Sequence, residues 1–165
     1  MIEKAAERTP PTGIKRAFFR APIWLYRINL GWLLGSRFLK LTHTGRISGQ
    51  PRQVVLEVVM HDAPNNIYYV AAAWGEKSDW VKNIRTNPEV EVQVGRQNFS
   101  MLAEELSPGQ SELVILDYAQ RHPTAMISLA RYMGYELDGT ESDYRELGRK
   151  LLMFSFTPRS SGPHQ

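Results

Sequence analysis

Residues 53–73, QVVLEVVMHDAPNNIYYVAAA, hold the pattern from which the fold is read. Val54, Leu56, Val58 and Met60 recur at every second position, while Val55, Glu57 and Val59 take the opposite, only partly polar face. A period of two belongs to a strand, because successive side chains leave a pleated backbone on opposite sides. The run His61-Asp62-Ala63-Pro64-Asn65-Asn66 is rich in turn formers, and residues 67–73 return as a second strand. The stretch reads as a meander hairpin with strands at 53–60 and 67–73.

Upstream of it, residues 37–42 form a short apolar strand, followed by a loop, THTGRISGQ, over 42–50. Downstream, Ser78 is a good N-cap and Asp79 suits a first helical turn, so a short helix is expected over 78–85, closed by Asn87-Pro88. Val90, Val92 and Val94 alternate with polar residues, Gly95 to Gln97 turn, and a strand runs over 98–106. Ser107-Pro108 opens a helix in which Gln110 completes a capping box. A second helix begins near Pro123, a third covers 142–150, and a last strand at 151–157 puts Leu152, Phe154 and Phe156 on one face. Residues 14–34 have helical spacing, with Phe18, Leu25 and Trp32 in one row, Ile14, Ala21 and Ile28 beside it, and a kink at Pro22. Short strands joined by hairpins, with helices at both ends, predict a mainly β, α+β chain: an antiparallel barrel with the N-terminal and C-terminal helices packed outside. One domain is expected over 13–158, between a frayed segment at 1–12 and a loose tail at 159–165. No Gly-rich strand–turn–helix signature points to a doubly wound dinucleotide fold.

The chain has 165 residues, 42% hydrophobic and 22% charged, which fits one globular core. It has no cysteine, so disulfides and thiolate metal sites are excluded. No apolar leader is visible, and residues 21–34 are interrupted by Arg27 and Asn29, short of the roughly 20 apolar residues a spanning helix needs. The expected location is the cytoplasm. Charge is uneven: residues 1–56 hold ten Lys or Arg against two acids, and residues 57–165 hold ten against fifteen. Nine basic residues and no acid lie between Arg8 and Arg52, a block that seeks an anionic partner. Because residues 14–34 are basic and amphipathic, peripheral contact with a membrane is an alternative to packing against the barrel.

The chemistry concentrates in Thr44-Gly45-Arg46-Ile47-Ser48-Gly49-Gln50-Pro51-Arg52. Two glycines let backbone N–H groups converge on an anion, Arg46 and Arg52 can each fork onto a phosphate, and Ser48 adds a hydroxyl. Ala71-Ala72-Ala73 leave room for a flat ring at a strand end, and the helix that begins at Ser78 offers its positive end. Trp74 and Trp80 are suited either to stacking on a ring or to filling a core.

LTHTGRISGQPR, followed by AAAWGEKSDWVKNIRTNPEVEVQVG, is similar to the deazaflavin-dependent nitroreductase and quinone-reductase family, split β-barrel proteins related to the FMN-binding pyridoxamine-oxidase-like barrels. The shared elements are the GRxSGQxR loop, the alanine-rich strand end and the DWxxNxxxNPxVxV step from helix to strand, strong from Phe38 to Gly95 and looser from Pro22 onward. The resemblance implies that coenzyme F420, an 8-hydroxy-5-deazaflavin with a phosphate and an oligoglutamate tail, binds here. Arg46, Ile47, Ser48, Gly49, Gln50 and Arg52 would hold its phosphate region. Ala72, Ala73, Trp74 and Gly75 would line the ring, with Val55, Lys77, Asp79, Trp80 and Asn83 beside it. Family members often carry Lys where this chain has Ile47, and some carry Ser-Lys where it has Ala73-Trp74.

The implied reaction moves two electrons from the reduced deazaflavin to an electron-poor small molecule: a quinone, a nitroaromatic or an activated alkene. No acid–base residue is obligatory. Tyr132, Tyr135 and Tyr144 are the candidates for a proton donor, although tyrosines on such helices more often pack. Rival readings are an FMN-dependent reductase of the same fold and a non-catalytic flavin, haem or lipid carrier. A nucleic-acid partner is not expected, because the aromatics of the basic block fall on an apolar helical stripe. A metal site is not expected either, since His43, His61, His122 and His164 have no ligand-spaced partners; His43 borders the phosphate loop, where it would either touch a ligand or, as loop histidines more often do, stay solvated. Monomer and homodimer are equally compatible with the sequence.

Overall fold

The computed structural model describes residue 2 and residues 35–159; the expected helix over 14–34 and, apart from residues 2 and 159, both terminal segments lie outside the described residues. In order, the elements are β1 (Phe38–Thr44), β2 (Pro51–Glu57), β3 (Met60–Asp62), β4 (Ile67–Ala71), α1 (Asp79–Thr86), β5 (Glu89–Val94), β6 (Gln97–Glu105), α2 (Pro108–Arg121), α3 (Pro123–Tyr132), α4 (Glu141–Lys150) and β7 (Met153–Pro158). Among the described residues the strands form one sheet in the order β2-β1-β5-β6-β7-β4-β3, with every neighbouring pair antiparallel.

The two edge strands of that sheet are consecutive in the chain. Only Val58 and Val59 separate β2 from β3. Laid flat, the outer strands of such a sheet would stand about 29 Å apart, whereas the chain from Glu57 to Met60 reaches about 10 Å. The sheet must therefore curl until its edges meet. The Val58 N–H donates to the Arg37 carbonyl ahead of β1, and the Val59 N–H donates to the Tyr69 carbonyl on β4, each at 2.8 Å. The strand expected over 53–60 divides at this crossing: β2 pairs with β1, and β3 pairs with β4. The alternation fails with it, since Val54, Leu56 and Val58 pack on the barrel core while Val59 and Met60 join a second core under the helices.

The barrel interior is filled by Leu39 and Leu41 of β1, Tyr68 and Val70 of β4, Val90 and Val92 of β5, Met101 of β6 and Phe154 and Phe156 of β7. Trp80, Val81 and Ile84 of α1 enter the same core, so this helix plugs the barrel. The opposite face of β4 and β7 presents Tyr69, Ala71 and Met153 to Val114, Ile115 and Tyr118 of α2, Met126 and Ala130 of α3 and Leu147 of α4. Apolar positions three and four apart give these helices their inward stripes. Ile2 is buried in the same layer, where its N–H donates to Glu146 at 3.2 Å and its carbonyl accepts from Lys150 at 3.3 Å.

The helix boundaries follow local chemistry. Ser107 and Gln110 form the expected reciprocal capping box at α2, next to Pro108 in the first turn. At α4, the Thr140 hydroxyl accepts from the Asp143 N–H; Glu141 and Asp143 sit at the positive end and Arg149 and Lys150 at the negative end. Ser78 occupies the cap position of α1, yet its hydroxyl makes no capping bond, contrary to expectation. The buried oxygen instead has no hydrogen-bond partner among the described residues.

Helices α2 and α4 touch backbone to backbone at Gly148. A Cβ there would stand 2.5 Å from Glu112 Cα and 3.1 Å from the Ser111 carbonyl. Glu112 closes the crossing by accepting from Arg145 at 2.7 Å and Arg149 at 2.6 Å, and these bonds hold its carboxyl below the usual range, Arg149 contributing most. Replacing Gly148 with Ala must separate the helices, at a cost of about 2 kcal/mol. The expected result is a melting temperature about 4–8 °C below wild type by calorimetry; an unchanged temperature would show that the crossing yields without strain.

A basic loop clamped to a helix beside an aromatic step

The hairpin between β1 and β2 continues two pairs beyond the expected end of the first strand. His43 faces Arg52 and Thr44 faces Pro51, so the loop begins at Gly45 and not at residue 42. The loop folds on itself: the Gly45 N–H donates to the Gln50 carbonyl and the Gly49 N–H to the Gly45 carbonyl, each at 2.8 Å. Gly49 has φ +68°, a conformation that disfavours other residues. At Gly45 a Cβ would fall 2.7 Å from Ser48 Oγ and 3.3 Å from the Gln50 carbonyl, so the turn closes only around a bare Cα. Ser48 Oγ accepts from the Gln50 N–H at 3.2 Å and from Arg52 Nη2 at 3.5 Å. Residues 46–50 and Arg52 are exposed, Ile47 at 89%.

Helix α1 holds this loop with residues spaced four apart. Asn83 Oδ1 accepts from the Arg46 main-chain N–H at 3.0 Å and from Arg46 Nη1 at 2.9 Å. Asp79 accepts from Arg46 Nη2 at 3.2 Å, and Asn87, which caps the helix, donates to Thr44 Oγ1 at 3.5 Å. Behind them, Asn83 Nδ2 lies 3.1 Å from His43 Nδ1. With the Asn83 oxygen taken by two donors, its amide must donate to His43, which places the imidazole proton on Nε2. His43 is 5% exposed. Burial, aided by Arg52 and opposed by Asp79, lowers its pKa from 6.5 to about 4, so the ring is neutral near pH 7. The expectation of a solvated loop histidine is corrected: His43 continues the inward row of Leu39 and Leu41 on β1.

The alanine-rich segment ends β4 and leads into α1. Ala72 is buried on the barrel side, with its N–H on the Leu152 carbonyl at 2.9 Å, while Ala71 and Ala73 face the helical layer. The chain then coils tightly through Gly75 at φ +51° into α1. Arg85 fastens this coil to the end of β6, donating to Glu76 at 3.0 Å and to Glu105 at 2.9 Å. Its hydrogen bonds hold the exposed Glu76 carboxyl below the usual range. Trp74 is half-buried and meets Tyr132 of α3 edge to face at 6.4 Å. Trp80 is 6% exposed and packs edge-on against Phe154 at 5.4 Å, so its ring fills the core.

Among the residues named from sequence, Arg46 meets Asp79 and Asn83 directly, Ser48, Gln50 and Arg52 bond to one another within the loop, and Lys77 ends the coil that leads into α1. Val55 lies on β2 opposite Lys40. Tyr132 stands beside Trp74, whereas Tyr135 and Tyr144 pack into the helical layer, Tyr144 against a groove lined by Leu116, Ala119 and Pro123. His43 and Asn87 were missed as parts of the clamp; the four-residue spacing 79, 83, 87 and the alternation 39, 41, 43 are the signals that reveal them. No group of metal-binding side chains occurs among the described residues. Two guanidinium groups, a hydroxyl and a glycine-rich turn form a donor set that suits a phosphate.

The depressed His43 pKa has a signed consequence. Between pH 6.5 and pH 4 the unfolded chain binds a proton at His43 that the folded chain refuses, so stability is lost as pH falls through that window and levels off below it. Urea unfolding of His43→Gln at pH 7, 5.5 and 4 should show an acid loss smaller than wild type by about 2–3 kcal/mol; parallel curves would mean that His43 titrates normally.

Residues 18–130 match the sequence model of the F420H(2)-dependent quinone reductase family. Among solved structures, an F420-H2 dependent reductase, FDR-A, is 24% identical, aligns over 73% of this chain and 93% of its own, and superposes with TM-score 0.50. A protein described as a domain-swapped dimer is 21% identical over 82% of this chain and 99% of its own, at TM-score 0.51. The haem storage protein HutZ from Vibrio cholerae is 15% identical over 84% and 90%, at TM-score 0.50. The shared architecture is a split β-barrel. With the match extending over more than half its length, this chain belongs to the F420H(2)-dependent quinone reductase family of oxidoreductases.

Proposed function

We propose that this chain passes electrons from reduced F420 to an electron-poor small molecule, a quinone, nitroaromatic or activated alkene, bound beside Trp74 and Tyr132. The observation that supports it most directly is the exposed loop of Arg46, Ser48 and Arg52, held in one shape by α1 at the mouth of the barrel. When bound, F420 supplies the two-electron reductant, and the protein supplies position, electrostatics and exclusion of water.

Arg52 carries the main anion contact in this reading. Its guanidinium lies on Ser48 Oγ, so a phosphate oxygen at the loop meets a fork of N–H donors together with a hydroxyl. Arg46 adds charge, although Asp79 offsets part of it. Lys77 and the uncapped start of α1 extend the positive field toward the ring end. The backbone through Ala73, Trp74 and Gly75 forms the ring wall, and Trp74 with Tyr132 gives a planar acceptor an aromatic face. Tyr132 is 40% exposed, so its hydroxyl is the proton source most open to a bound acceptor. The nine basic residues between Arg8 and Arg52 favour F420 over FMN, because its oligoglutamate tail adds negative charges that FMN lacks. A homodimer fits the same reading and accords with the similar structure described as domain-swapped.

Fluorescence titration with F420 and FMN, alongside thermal melts, tests this. F420 at about one hundred times its Kd should raise the melting temperature by about 5–10 °C. Arg52→Ala should weaken F420 binding about tenfold or more, since it removes a charge-assisted contact worth about 1.5–3 kcal/mol. A wild-type protein that ignores both coenzymes, or an Arg52→Ala variant that binds F420 normally, would count against the proposal.

A further inference from the structure

We propose that His43 and Asn83 form the positioning pair of the anion loop: His43 fixes the Asn83 amide in one orientation, and Asn83 holds Arg46 and the start of the loop in the pose that receives the coenzyme phosphate. The inference rests on the F420 reading but concerns two side chains that stand behind the ligand. His43 is 5% exposed and Asn83 4%, so both are enclosed.

A carboxamide has two ends of nearly equal shape and opposite hydrogen bonding. The Asn83 oxygen accepts twice from Arg46, at 3.0 Å from the main chain and 2.9 Å from Nη1. Turned by half a rotation, the amide would set N–H groups against these two donors and its oxygen against His43. Only an imidazole protonated on Nδ1 would tolerate that flip. Burial and Arg52, opposite His43 in the strand register, disfavour the imidazolium; of the two neutral tautomers, Nε2–H leaves Nδ1 to accept from Asn83 and satisfies both Arg46 donors as well, whereas Nδ1–H would require the flip that sets the amide against them. Asp79, on the next turn of α1, pulls the other way and less, because it is exposed and already paired with Arg46. A buried ring on the inward face of β1 thus sets the direction of a side chain on α1, which in turn orients a guanidinium on the loop.

The test compares His43→Leu, which removes the acceptor, with His43→Gln, which offers a carbonyl oxygen in its place. In the coenzyme-free protein, the Arg46 Nε–H signal in NMR spectra should be sharp in wild type, broadened in His43→Leu and sharp again in His43→Gln. F420 dissociation constants should rise about tenfold in His43→Leu, as expected when a buried donor loses its partner, and return to within about twofold in His43→Gln. With a small quinone as acceptor, KM for F420 should rise while kcat at saturating coenzyme holds within about twofold. The proposal is overturned if the two variants behave alike, if kcat falls while KM stays, or if only the melting temperature moves. Should His43→Leu fail to fold, Asn83→Asp decides, since it puts an oxygen against His43 and should shift the imidazole proton to Nδ1; an unchanged histidine nitrogen spectrum refutes the pairing. Should wild type not bind F420, the functional reading fails by itself, and the positioning claim is judged from the Arg46 signal with inorganic pyrophosphate as probe.

Discussion

Two residues, Val58 and Val59, carry the chain from one edge of the sheet to the other, and most of the architecture depends on that short span. Their adjacent N–H groups serve opposite edges, one on the Arg37 carbonyl and one on the Tyr69 carbonyl. A closed sheet has one enclosed face, filled by Leu39, Val70, Val92 and Phe156, and one outer face on which helices can lie. Once the barrel is closed, its open end needs a plug, and the apolar face of α1 supplies it with Trp80, Val81 and Ile84.

The plugging helix is amphipathic in a way that does two jobs. Its apolar side is anchored in the barrel, so its polar side, Asp79, Asn83 and Asn87, has a fixed bearing toward the β1–β2 loop. A loop with two glycines has wide conformational freedom when isolated. Here it is pinned from within by the Gly45–Gln50 bond and from outside by α1, which leaves Arg52 and Ser48 facing solvent. A rigid element that orders a mobile loop is a common way to make a binding site without burying it.

Much of this was legible in the sequence, and the parts that were not share a cause. Alternation and capping residues located the four described helices and every strand but β3 to within a few residues, because each signal is local: Ser107 with Gln110, Asn87 before Pro88, valines at every second position. The break at Val58–Val59 was invisible, since a chain that changes sheet edges keeps the hydrophobic pattern of one that does not. His43 was misread for a related reason. The GRISG motif drew it into the loop, whereas the register places it opposite Arg52 and inside. The motif did identify the basic loop and the short helix, but not that Arg46 is engaged by Asn83 and Asp79, which depends on how two distant segments dock.

The position of β7 has a consequence for how the molecule comes into being. This last strand of the described sheet lies between β6 and β4, pairing Phe156 with Ala103 on one side and with Tyr68 on the other. On a ribosome, β1 to β6 and helices α2 to α4 emerge before the strand that joins them. Until β7 arrives, the nascent chain presents two bare strand margins and the unfilled places of Phe154 and Phe156, surfaces prone to association. Sequence-distant pairing of this kind is slow to form, and the ring cannot be completed until synthesis has passed residue 158. Completion of the barrel thus waits on β7, although every helix from α1 to α4 has been synthesised before it.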